Sequence, residues 1–252
     1  MKQPERLGAI LERLSADGAV DVVQTARSLD VSAATIRRDL HLLEEQRLLE
    51  RTHGGAVPHG VTYELPLRYK TTRQPEQKRR IAVEAARRVR DGSAIGLTGG
   101  TTTTEVARAL VDRAQLTVVT NALNIAAEIA VRPNLKLVVT GGVARAESYE
   151  LVGPIAESSL EGLNLDMAFL SVDGISPRAG LTTQHEIEAG TDRALMARAE
   201  QVVVVADSSK LGHVAFARIC ELAEVAELIT DDGADQAAVA AIQDAGVRVT
   251  IV

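Results

Sequence analysis

Two sets of residues in this sequence have types and spacings suited to recognition. One is a series of polar clusters, each directly after an apolar run: Thr98-Gly99-Gly100-Thr101-Thr102-Thr103-Thr104, Thr120-Asn121, Thr140-Gly141-Gly142, Asp173-Gly174 and Asp207-Ser208-Ser209-Lys210. Glycines let a backbone approach a guest closely, and free amides at a helix start attract an anion. Threonine hydroxyls add donors, and Lys210 and Arg145 offer positive charge. A small, hydroxyl-rich anion such as a phosphorylated sugar suits this set. Turn chemistry alone accounts for any single cluster; five of them at successive strand ends are harder to assign to turns. The other set lies near the N-terminus. Ser32, Ala33, Ala34, Thr35, Arg37 and Arg38 open one helix, and Arg51 and His53 follow it. Small residues let a helix start come close to base edges, while Thr and Arg reach bases or phosphates.

The elements that must carry these residues follow from periodicity. Leu7, Ile10, Leu11 and Leu14 make one apolar face of a helix over residues 5–16, ended by Gly18. A short helix fits Val22–Leu29, with Val23, Ala26 and Leu29 on one side. Asp30-Val31-Ser32 is a tight connection, and Ser32 is a good N-cap for a helix over Ala33–Gln46 that turns Ile36, Leu40 and Leu43 inward. This is a helix-turn-helix, whose second helix can enter a major groove. Leu48–His53, turning at Gly54-Gly55 into Ala56-Val57, makes a hairpin wing. A plain helical bundle with solvated Arg37 and Arg38 would show the same periodicity.

From residue 75 the pattern alternates. Helical segments fit 76–90, 103–113, 122–131, 153–161, 186–200 and 234–245; strand-like runs are Ser93–Thr98, Leu116–Thr120, Lys136–Thr140, Met167–Val172, Val202–Ala206, Glu227–Thr230 and Val247–Val252. Runs apolar on both faces predict a mainly parallel sheet in an α/β domain. Ligands of such sheets bind beyond the carboxyl ends of the strands, where the polar clusters fall.

Charge divides the chain the same way. The 252 residues carry a net −6, which by itself argues against nucleic acid. Residues 1–57 hold 8 Lys+Arg and 9 Asp+Glu, net −1; residues 58–90 hold 9 and 3, net +6; residues 91–252 hold 11 and 22, net −11. The acidity therefore belongs to the large body. The expected organisation is a DNA-binding head at 1–57, a linker at 58–74 containing Pro58, Gly60 and Pro66, and a body at 75–252. No run approaches the ~20 apolar residues of a membrane helix. The N-terminal stretch is broken by Arg6, Glu12 and Arg13, unlike a secretory signal, and the single Cys220 fits a reducing cytoplasm.

The string VSAATIRRDLHLLEEQRLLERTHGGAV resembles the winged helix-turn-helix signature of the DeoR family of bacterial transcriptional regulators, departing from it at Gln46-Arg47, where the family often has a Gly. The body resembles the DeoR-type sensor domain through DGSAIGLTGGTTTTEVA, LTVVTNALNIA, VVTGG, FLSVDGIS, GLTT and VVVVADSSKLG. The resemblance implies a fold akin to ribose-5-phosphate isomerase. It also implies a homodimer or homotetramer on double-stranded operator DNA, with a phosphorylated-sugar effector held by Gly99, Gly100, Thr101, Thr102, Thr103, Asn121, Gly142, Asp173 and Lys210. No cofactor or metal is implied. The alternative is an isomerase with a DNA-binding head. The isomerase motif is Gly-Ala-Asp-Glu, and here Ser171-Val172-Asp173-Gly174 puts a glycine where the carboxylate stands.

Other motifs are weaker. His185-Glu186-Ile187-Glu188-Ala189 has Ala189 where a zinc site needs its second histidine, so helix capping or an interface contact is expected. His213 suits the surface and Cys220 packing. The run Lys78-Arg79-Arg80 with Arg87, Arg88 and Arg90 fits either DNA phosphates or a solvated face paired with Glu84.

Overall fold

A computed structural model describes residues 2–59, 65–71 and 73–252, which fall into two compact units, 1–73 and 74–252. In the first, helices α1 (Gln3–Asp17), α2 (Val22–Ser28) and α3 (Ala33–Glu45) pack with a three-stranded antiparallel sheet. Its strands are β1 (Val20–Asp21), β2 (Leu49–Arg51) and β3 (Gly55–Pro58), in the order β1-β3-β2. Ile10, Leu11, Leu14, Ile36, Leu40 and Leu43 are fully buried together, the stripe that i, i+3, i+4 spacing puts on one helix face. The pairing of β2 with β3 is the wing expected from the sequence.

Two details differ from expectation. In α2 it is Val22, Thr25 and Ala26 that face inward, while Val23 is half exposed. The helix starts at Asp21, whose carboxylate accepts from the Gln24 amide at 2.8 Å, and that start sets the phase. Part of the stretch read as linker is built into the head. Leu65 is buried in its core with Tyr69 of the one-turn helix α4 (Leu67–Lys70), because these apolar side chains gain more from burial than from exposure. The Tyr69 hydroxyl donates to Gln46 Oε1 at 2.6 Å. Residues 60–64 of that stretch, Gly60 among them, lie outside the described residues.

The second unit opens with α5 (Pro75–Ala86). Then come β4 (Ala94–Leu97), α6 (Thr101–Ala109), β5 (Leu116–Thr120), α7 (Leu123–Ile129) and β6 (Leu135–Val139). A hairpin of β7 (Val143–Ala144) and β8 (Leu151–Val152), helix α8 (Pro154–Leu160) and β9 (Leu165–Leu170) follow. Next are β10 (Gly174–Ser176), β11 (Gly180–Thr183), α9 (Glu186–Met196), β12 (Ala199–Val205), β13 (Ala217–Cys220), β14 (Glu227–Thr230), α10 (Gln236–Asp244) and β15 (Arg248–Ile251). Seven strands form one parallel sheet in the order β15-β14-β12-β9-β4-β5-β6. Side chains alternate across it. Val203, Val205 and Phe169 pack with Ile81, Val106 and Ile125 of α5, α6 and α7, while Val202, Val204 and Ala168 pack with Met196 of α9 and Ile242 of α10. Both faces are therefore covered, as a parallel sheet requires. The antiparallel sheet β10-β11-β13 was not expected from the sequence.

The strand order contains the feature that positions the site. The chain builds outward from β4 through β5 to β6, then returns to β9 and builds outward the other way through β12. Neighbouring strands β4 and β9 thus send their connections in opposite directions, which opens a crevice at their carboxyl ends.

Candidate effector pocket and nucleic-acid interface

The loops leaving β4 and β9 meet at that crevice. Gly100, at φ 132°, is backed by Ser171, whose Cβ lies 2.4 Å from where a Gly100 Cβ would stand, so only glycine fits. The loop runs straight into α6, whose N-cap Gly100 gives no side-chain cap. The first amides of a helix lack intrahelical acceptors, so those of this helix are available to an anion. Thr101 is partly exposed, and Thr102 and Thr103 are buried. The Thr103 hydroxyl donates to the Gly100 carbonyl at 3.1 Å, and Thr104 donates to the same oxygen at 2.6 Å.

Beside this loop lies a group of carboxylates of which only Asp173 was expected in the pocket from the sequence. The segment 144–151 folds back over the end of β5: Leu123 N–H donates to the Tyr149 carbonyl and Leu151 N–H to that of Asn121. Glu150 is thereby pressed against Gly99, whose hypothetical Cβ would be 2.0 Å from Glu150 Oε1. Asn121 Nδ2 donates to Glu150 Oε2 at 3.3 Å. Asp173 pairs with Lys210 at 3.4 Å and accepts from Thr183 Oγ1 at 3.4 Å, and the same hydroxyl reaches Glu188 Oε2 at 3.2 Å. Arg145 pairs with Glu188. Asp192, one turn beyond Glu188 on α9, completes the group. Burial, then the charges of Asp192 and Glu188, push the Glu150 carboxyl well above its usual range against the Asn121 bond. Burial, then Glu188 and Asp173, do the same to Asp192.

The structure thus brings Gly99, Gly100, Asn121, Asp173 and Lys210 to one edge through Glu150, Ser171 and Thr183. Gly142 packs against Val152 and Ala156 at the β7–β8 hairpin. Glu150 and Asp192 were missed because nothing in their local spacing marks them, and Glu188 was read only within an incomplete zinc motif; they converge only through the fold-back of 144–151 and the helical i, i+4 step. Gly174 leaves no room for the carboxylate of an isomerase motif: a Cβ there would stand 2.4 Å from the His213 carbonyl oxygen.

On the head, Ser32 caps α3 by accepting from Thr35 N–H at 3.1 Å, and its Oγ lies 2.9 Å from Thr35 Oγ1. Ala33 is partly exposed and Ala34 exposed at the helix start. Arg37 and Arg38 are exposed and make no ion pair among the described residues. Their helix is fixed from behind by Asp39, which is buried and takes a two-point contact from Arg6 at 2.5 and 3.1 Å. On the wing, His53 is exposed, while Arg51 lies 3.5 Å from Glu44, so part of its charge is already met.

The remaining motifs resolve simply. His185 caps α9, its Nδ1 accepting from Ile187 N–H at 3.2 Å. His213 is exposed and Cys220 buried, its thiol pushed up to about 12 by burial and Glu224. The basic run is paired within the body except for Arg90, which is exposed and makes no ion pair among the described residues. Lys78 is buried 3.8 Å from Asp207, Arg79 meets Glu76, and Arg80 meets Asp232. Arg87 meets Glu84, and Arg88 meets both Glu84 and Glu227. Among the described residues no helix is long and apolar enough to cross a membrane.

A winged helix-turn-helix joined to a doubly covered parallel sheet with an anion-ready switch point defines a class: DNA-binding regulators with a sensor domain. The chain belongs to the DeoR family. It matches the DeoR-like helix-turn-helix domain over residues 6–59 and the DeoR C terminal sensor domain over residues 73–232. The HTH-type transcriptional regulator GlpR of Haloferax volcanii is 38% identical over 250 residues, covering 99% of this chain and 98% of that protein. An uncharacterized HTH-type transcriptional regulator of Bacillus subtilis, YulB, is 36% identical over 98% of this chain and 96% of its own. The glycerol-3-phosphate regulon repressor of Escherichia coli K12 is 32% identical over 92% of each chain. A ribose 5-phosphate isomerase A structure from Methanocaldococcus jannaschii, 21% identical over 54% of each chain, superposes with a TM-score of 0.41, a likeness too loose to carry an argument. The chain is accordingly a DeoR-family transcriptional regulator and not an enzyme.

Proposed function

We propose that this regulator represses genes of carbohydrate uptake or catabolism in the cytoplasm and leaves its operator when a phosphorylated sugar occupies the crevice between β4 and β9. One observation carries the reading: the uncapped start of α6, opened by Gly99-Gly100, stands at the strand-order reversal beside Asn121, Asp173 and Lys210. Amides and a lysine there bind phosphate, and Asn and Thr side chains read hydroxyls. The relative named for a glycerol-3-phosphate regulon supports a phosphorylated effector. Ser32, Ala33, Ala34, Thr35, Arg37 and Arg38 read the major groove, with Arg51 and His53 on the backbone or minor groove, as a homodimer or homotetramer on repeated half-sites. The effector lowers operator affinity by the ratio of its affinities for the two states of the protein.

A thermal-shift screen against phosphorylated sugars, followed by operator release with each hit, tests this. Lys210→Ala is expected to raise the effector concentration needed for half-release at least tenfold, operator binding without effector serving as the control. Full response of that variant to every active sugar phosphate would remove Lys210 from the pocket.

A further inference from the structure

We propose that the guest of this crevice carries a protonated amine as well as its phosphate, the amine seated between Glu150 and Asp192. The proposal rests on the sugar-phosphate reading above and names the chemical class within it.

Charge balance around the crevice is the first observation. Four carboxylates gather there from three parts of the chain: Glu150 before β8, Asp173 after β9, and Glu188 and Asp192 on α9. Two have cations: Arg145 meets Glu188, and Lys210 meets Asp173. Glu150 and Asp192, 6% and 4% exposed, form no ion pair with any described residue. The nearby Arg193 sends its guanidinium instead to the Arg218 carbonyl, at 2.6 Å. Removing two carboxylates from water without a counter-charge is costly, and a cation restores the balance.

Orphaned acceptors are the second observation, independent of the first. Asn121 is 2% exposed; its amide nitrogen is spent on Glu150, and its Oδ1, beside that carboxylate, receives no hydrogen bond. Asp192 Oδ1 is likewise buried without a donor. Both atoms call for donors, and an ammonium supplies three N–H donors and accepts nothing. Among the described residues no group of three or more His, Cys, Asp or Glu is arranged as a metal site, and a guest's own ammonium would bring the cation and the donors together. Since Glu150 also backs Gly99, an ammonium here lies one loop away from an anion at the start of α6. A guest with phosphate alone would leave both carboxyls protonated; one bearing both charges meets a partner at each end.

A proton consequence follows from the same geometry. Burial, with the charges of Glu188 and Asp173, raises the Glu150 and Asp192 carboxyls above the usual carboxylate range, with Arg145, Lys210 and Arg193 the facing cations. Seating an ammonium ionises them, and the released protons pass to the buffer.

Isothermal titration with matched pairs tests the proposal: glucosamine 6-phosphate against glucose 6-phosphate, and galactosamine 6-phosphate against galactose 6-phosphate. For at least one pair the amine is expected to bind at least tenfold tighter, with proton release seen as a buffer-dependent heat, and more tightly still as pH rises. Glu150→Gln and Asp192→Asn, both close in shape to the originals, are expected to reduce the preference to within about twofold. The wild-type comparison stands alone should either variant fold poorly. If the hydroxyl partners bind as tightly as the amines, or tighter, the amine site is overturned while sugar-phosphate sensing stands. If no sugar phosphate binds at all, the sensing reading fails and takes this one with it.

Discussion

Glu227 shows how one buried residue holds the body together. It is 1% exposed at the start of β14 and accepts from Arg88 at 2.8 and 3.1 Å, from Arg248 at 3.0 Å and from the Thr250 hydroxyl at 2.6 Å. Burial alone would raise its pKa, but the hydrogen bonds and charges of these partners outweigh burial and hold it below 4.5. A depressed carboxylate contributes stability that is present above its unfolded pKa and lost as pH falls through the folded one. Glu227→Gln is therefore expected to cost about 2 kcal/mol at pH 7. In urea melts at stepped pH the gap to wild type should close as pH drops below 4.5. A gap constant down to pH 3 would show that charge plays no part. Nothing in the sequence marks Glu227 as special, because its partners are Arg88, just past α5, and residues of β15. The same holds for Glu150 and Asp192 in the crevice. Ser32 and His185, by contrast, cap helices within their own few residues, and both were legible.

At the scale of elements, α3 joins a buried stripe to an exposed pair. Ile36, Asp39, Leu40 and Leu43 fix it, leaving Arg37 and Arg38 free at the surface. Arg37→Ala and Arg38→Ala are each expected to weaken operator binding by about 1–3 kcal/mol, roughly fivefold to 150-fold. Fluorescence anisotropy on a labelled operator measures this, with unchanged sugar-phosphate binding as evidence that the body is intact. Loss of less than twofold from both would take α3 out of the groove. Long periodic elements such as α1 and α3, and the apolar runs of β5 and β14, could be read because burial imposes a repeat on their sequence. The sheet β10-β11-β13 could not. Its strands have three or four residues, begin at Gly174 and Gly180, and pair across α9 and β12. Likewise Leu65 and Tyr69 are too few to show a period, so their stretch reads as linker.

For the whole molecule, net charge is a poor guide and its distribution a better one. The −11 of residues 91–252 disfavours a DNA backbone, and three of the +6 of residues 58–90 are met inside the body by Asp207, Asp232 and Glu227. On the proposed reading, operator contact rests on Arg37, Arg38 and part of Arg51. With about 2–3 phosphates neutralised per head, log affinity should fall with log salt at a slope of roughly −2 to −3 per head; a slope twice as steep would mean the basic run also meets DNA. The strand order has a consequence in time as well. Ile95 of β4 pairs with Met167 of β9, so the centre of the body's sheet cannot close until a distant stretch has been made. The head's pairings, such as Glu50 with Val57, join near neighbours. Local contacts form fast and distant ones slowly. With synthesis proceeding at ~5–20 residues per second, a nascent chain holds a complete reader for several seconds before its sensor has a centre.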